Sequence, residues 1–85
     1  MYSLKIGEQC LKDIQKLTKN NASLETALGK AINRILAYPE HFKPLKWPLN
    51  NTRRVHVYGS FVLVYEIREN TVRLLRFAHH DEVYK

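Results

Sequence analysis

Six consecutive residues near the end of the 85-residue chain, His79-His80-Asp81-Glu82-Val83-Tyr84, hold two of its four histidines, two carboxylates and a tyrosine. A third histidine, His56, lies between Val55 and Val57, just after Arg53-Arg54. Imidazole titrates near neutrality and can take up or give a proton. Guanidinium groups grip phosphate oxygens, and a tyrosine supplies a stacking ring or a proton. These types suit cleavage of RNA by its own 2′-hydroxyl. One group removes the hydroxyl proton, a second protonates the departing 5′ oxygen, and cations neutralise the phosphorane. That chemistry needs neither a metal nor a protein nucleophile. His56, His80, Tyr84, Arg53 and Arg54 are the candidates, and all lie in the second half of the chain.

Other chemistries fit less well. Adjacent histidines on an extended chain point to opposite faces, and the sequence has no helical His-x3-His pair, so no metal site is expected. Cys10 falls in a helical apolar pattern with no basic motif beside it, which argues against a nucleophilic thiol. Gly7, Gly29 and Gly59 are scattered and form no phosphate-cradling loop. No cofactor is expected.

The elements that must position these groups follow from hydrophobic period. Residues 2–6 alternate Tyr2, Leu4 and Ile6 against Ser3 and Lys5, as a half-buried strand does. Cys10, Ile14 and Leu17 then form one helical stripe, with Lys12, Asp13, Lys16 and Lys19 facing water. A second helix is expected from Ser23 as N-cap to Tyr38, ended by Pro39, with a stripe from Leu24 through Leu28, Ile32 and Ile35. Residues 39–51 read as a loop rich in proline, lysine and asparagine. Strands follow over 53–58, 61–67 and 71–78, the middle one almost continuously apolar. Arg54, His56 and Tyr58 would share one face of the first of these. The expected fold is α+β, in the order β-α-α-β-β-β, with a helical hairpin on one face of a small, mainly antiparallel sheet.

Length allows one domain over residues 1–85, burying about 60–65% of its unfolded surface. A hydrophobic fraction of 45% and nine aromatics indicate a packed globule. No apolar run approaches the roughly 20 residues of a membrane span, and residues 1–6 do not read as a signal peptide. A single cysteine points to a reducing compartment, so the cytoplasm is expected, with no membrane contact. Net charge is +6. Residues 1–42 carry six Lys/Arg against four Asp/Glu, and residues 43–85 eight against four. Such a basic domain favours a polyanionic partner.

In order and length the whole chain resembles the RelE/ParE superfamily of toxins, in particular its YafQ-like mRNA interferase branch, most sharply from Pro48 onward. The resemblance is carried by Pro48-Leu49, Arg54-Val55-His56-Val57, Phe61-Val62-Leu63-Val64-Tyr65, Leu74-Leu75-Arg76-Phe77 and His80-x-x-x-Tyr84, in this order. It implies a ribosome-dependent endoribonuclease that cuts mRNA and is held inactive by a cognate antitoxin, acidic and partly disordered when free. By position, His56 and His80 are similar to the catalytic histidines of that branch, and Tyr84 to its catalytic or base-stacking aromatic. Arg53, Arg54 and Arg76 would hold phosphate. Lys43, Lys46, Trp47 and Lys85 would add contacts to RNA. The chain departs from the branch at Trp47 and Ser60, where histidine and aspartate are expected, and at Val62, where RelE-like chains carry a basic residue. A ParE-like topoisomerase inhibitor, or a non-cutting RNA- or ribosome-binding module of the same fold, is the alternative.

Overall fold

The computed structural model describes residues 2–42, 44 and 52–83, with the side chains of Glu82 and Val83 left out. The chain opens with strand β1 (Ser3–Ile6) and passes through Gly7 into helix α1 (Glu8–Thr18). The Gly7 N–H donates to the Leu74 carbonyl at 2.8 Å. A Cβ at Gly7 would lie 2.8 Å from that same oxygen, so only glycine lets the junction approach so closely. Asn20, with φ 61°, takes the left-handed conformation that ends a helix. Asn21 then caps helix α2 (Ala22–Ala37), its side-chain oxygen accepting the Leu24 N–H at 3.1 Å. The expected cap, Ser23, instead lies inside the first turn, because the asparagine two residues earlier reaches the unpaired amide first. Leu24, Leu28, Ala31 and Ile35 form the buried stripe of α2, and the helix stops before Pro39 as expected.

Strands β2 (Thr52–Val57), β3 (Phe61–Arg68) and β4 (Thr71–His79) complete one four-stranded sheet in the order β1-β4-β3-β2. β1 runs parallel to β4, and the other two pairings are antiparallel. Both long helices pack on one face, over Val55, Val57, Leu63, Tyr65, Val72, Leu74 and Phe77, all buried with Cys10 in a single core. The order and layering are those expected from the sequence.

Three local differences bear on the site. The first strand of the meander ends at Val57, so Tyr58 leaves the row expected for Arg54 and His56. Its φ of 55° places it in a turn, where the Ser60 N–H donates to the Tyr58 carbonyl at 2.9 Å. That i to i+2 bond closes a γ-turn around Gly59, whose φ of 79° glycine alone adopts without strain. β4 continues one residue beyond the expected end and passes directly into a one-turn helix, α3 (His80–Val83). Finally, β4 bulges: Val64 pairs with Arg76 but Tyr65 pairs with Leu74, leaving Leu75 as the extra residue.

Candidate functional site

The sheet register builds the site on the face opposite the long helices. Across β2, β3 and β4, Arg54, Val64 and Arg76 form one row, and His56, Val62 and Ala78 the next. His80 stands two residues beyond Ala78, where α3 begins, and its N–H donates to the Ser60 carbonyl at 2.8 Å. This bond ties the start of α3 to the β2–β3 turn and lays the His80 ring against His56. The ring centroids are 5.6 Å apart and the planes 23° from parallel. Val62 and Ala78, almost fully buried in the same row, give the pair an apolar base. Both imidazoles remain solvent-accessible at the rim.

His79 goes the other way. Its ring meets Phe61 edge-on at 5.6 Å, on the face that carries Phe61 and Phe77. The Asp81 carboxylate lies 3.8 Å from Nδ1 of each histidine, and the Asp81 N–H donates to His79 Nδ1 at 3.3 Å. Asp81 is thus a third polar group at the histidine pair, and its sequence position beside His80 was the signal for it.

The arginines divide. Arg54 is half-buried on the histidine face. Arg53, one residue earlier, points to the helix face, where Nη1 donates to the Phe42 carbonyl at 2.8 Å and to Glu40 at 3.4 Å. It braces residues 39–42 together with Tyr65, whose hydroxyl donates to the Pro39 carbonyl at 2.5 Å. Burial pushes the Tyr65 hydroxyl up to about 12, partly offset by Arg53, so it stays a donor. Arg76 gives its Nε to Asp13 at 2.9 Å.

Asp13 corrects the expectation of a water-facing residue on α1. β1 ends opposite Leu74, so the outer edge of β4 beyond that point has no strand partner among the described residues. There the Asp13 carboxylate accepts the Phe77 N–H at 3.0 Å, as well as Arg76 and Gln9. Burial pushes Asp13 up, but these three donors outweigh it and hold the carboxyl below its usual range. Nothing in a helical stripe signals this contact, since it spans 64 residues of sequence.

Cys10 is buried, and desolvation followed by the Asp13 charge pushes its thiol up to about 12 despite Arg76. It is therefore protonated and a poor nucleophile, in line with its exclusion on sequence. Among the described residues no three His, Cys, Asp or Glu side chains are placed to hold a metal ion. No described helix is long and apolar enough to cross a membrane. Tyr84, Lys43, Lys46, Trp47 and Lys85 lie outside the described residues.

Two accessible imidazoles over an apolar base can hold one proton donor and one acceptor side by side, with Arg54 one register row away. Comparison with known proteins gives the family. Residues 4–84 match the family model of the ParE toxin of type II toxin–antitoxin systems. The chain is 41% identical over 87 residues to the candidate toxin RelE4 of Methanocaldococcus jannaschii, covering 100% of this chain and 93% of that one. A metal-bound toxin from Helicobacter pylori superposes with a TM-score of 0.79 at 30% identity, covering 99% of this chain and all of the other. YafQ from Escherichia coli shares the fold, with a TM-score of 0.67 at 23% identity over the full length of both chains. The chain thus belongs to the ParE toxin family, within the RelE/ParE superfamily, and is the toxin of a type II toxin–antitoxin system.

Proposed function

We propose that this toxin is an endoribonuclease that cuts mRNA on the ribosome by metal-independent acid–base catalysis. The observation that supports it best is the His56–His80 pair, with ring centroids 5.6 Å apart, on the sheet face that also carries Arg54. One imidazole takes the proton of the RNA 2′-hydroxyl as its oxygen attacks the adjacent phosphorus. The other gives a proton to the 5′ oxygen as the P–O5′ bond breaks, leaving a 2′,3′-cyclic phosphate and a 5′-hydroxyl. Arg54 stabilises charge on the phosphorane, with Arg76 available if it exchanges Asp13 for phosphate. Asp81 orients His80 through the Nδ1 side. Tyr84 stacks on a base or assists proton transfer. Lys43, Lys46, Trp47 and Lys85 hold flanking RNA, and Arg53 serves the first three by bracing residues 40–42, which precede them in the chain. The toxin works in the cytoplasm, and the cognate antitoxin, acidic and partly disordered when free, covers the basic face.

A second reading, inhibition of a topoisomerase, is favoured by the ParE description of the matching family. Induction of the toxin separates the two. Cut mRNA with intact DNA, and cleavage in a reconstituted system only when ribosomes are present, is expected for the first reading. DNA breaks accumulating beside intact mRNA would overturn it in favour of the second.

A further inference from the structure

Tyr58 is the one residue of the expected polar row that the fold removes from the histidine face, and its new position has a use. An open groove of about 520 Å³ runs between α2 and the outer edge of β2. Its apolar lining is Ala27 and Val57, its cations are Lys30 and Arg34, Tyr58 lines it beside them, and His56 is shared with the catalytic face. No carboxylate is among its described lining residues. Lys30 and Tyr58 also line the adjoining hollow toward the start of α2. The left-handed backbone at residue 58 costs a non-glycine residue some free energy, yet it holds a ring that is 59% exposed outside the strand.

Single-stranded nucleic acid is bound by a flat ring for a base beside cations for the backbone, at a site without competing negative charge. The groove has all three, and its volume falls in the range of small-ligand sites, about 300–1,000 Å³. An acidic peptide would satisfy Lys30 and Arg34 equally, but it would leave the displayed ring without a partner. We propose that Tyr58, Lys30 and Arg34 form a subsite for a nucleotide of single-stranded RNA that flanks the phosphate at the His56–His80 pair. The inference rests on the ribonuclease reading for its orientation. The chain of the RNA passes around the β2 edge at His56, with a base on Tyr58 and a phosphate on Lys30. Arg34 is steadied by the Phe42 ring, 5.9 Å from its guanidinium carbon.

The test is fluorescence anisotropy with the full chain and a labelled 2′-O-methyl oligouridine, which has no hydroxyl for the cleavage chemistry. Tyr58→Gly removes the ring and relieves the positive φ, so a loss of binding cannot be assigned to turn strain. We expect it to raise Kd about tenfold, the scale of one base–aromatic stack. Tyr58→Phe should stay within about twofold, because the ring suffices for stacking. Lys30→Ala should reduce the slope of log K against log salt by about 0.7, the value of one phosphate contact on a single strand. Unchanged affinity in Tyr58→Gly would overturn the subsite. Failure of the wild type to cut mRNA, with the Tyr58 and Lys30 effects intact, would remove the ribonuclease reading and leave the subsite standing.

Discussion

Asp13 ties together parts of the chain that are far apart in sequence. It joins α1 to the end of β4, the segment that delivers Arg76 and His80, through two donors, the Arg76 Nε–H and the Phe77 N–H, while Gln9 steadies it from within α1. Because its folded-state pKa is depressed, its contribution is fully present above the unfolded value of 3.8 and is lost as pH falls through the lower folded value. Asp13→Asn keeps an oxygen to accept the Phe77 N–H but removes its charge, and is therefore expected to cost about 1–3 kcal/mol at neutral pH, the range for a hydrogen bond to a charged group. Arg76 is half in water, so most of that cost belongs to the Phe77 N–H rather than to the ion pair. Urea unfolding at pH 7 and below pH 4 checks the sign: the gap between wild type and variant should close in acid. At Cys10 the raised thiol pKa and full burial predict no alkylation by iodoacetamide in the native protein at pH 8, and rapid labelling in urea. Native labelling at the rate of a free thiol would show the α1–sheet packing to be wrong.

The β4 bulge decides which histidine reaches the site. With Leu75 extruded, Phe77 and His79 face the helices and Ala78 leads His80 to the opposite face. Strict alternation from Val72 and Leu74 would have done the reverse, bringing His79 beside His56. The sequence carries a trace of this in the Leu74-Leu75 doublet, which breaks the period of two without saying where the chain bulges. Alternation along single elements was legible, so the strands, the helical stripes and the overall order could be read before the fold was known. Contacts between elements were not. Arg53 bonds to carbonyls 11 and 13 residues away, and Asp13 meets Phe77 64 residues on, and neither follows from any local pattern. Capping is legible in principle, since Asn21 and Ser23 are both good caps and only geometry chooses between them. Asn21→Ala should lower stability by about 1 kcal/mol, with Ser23→Ala near neutral, as measured by denaturant midpoint.

For the molecule as a whole, the division of labour between the two sheet faces organises everything else. One face is closed by α1 and α2 over a single apolar core, and the other carries Arg54, His56 and, through α3, His80. Net charge of +6 favours a polyanionic partner, and under the proposed function RNA and an acidic antitoxin would compete for such a surface. Family membership accounts for the antitoxin, and the paired imidazoles account for the proposed cutting. The substitutions at Trp47 and Ser60 remove two proton-carrying groups that the YafQ-like pattern would supply. In the proposed mechanism the proton transfers therefore fall to His56 and His80. The most direct measurement is mRNA cleavage in a reconstituted translation reaction, with wild type, His56→Ala and His80→Ala compared at equal concentration. Each general acid or base contributes about 10²–10⁴-fold, so both variants should cut at least a hundred times more slowly while melting at the wild-type temperature. Undiminished cutting by both would contradict the assignment of the chemistry to this pair.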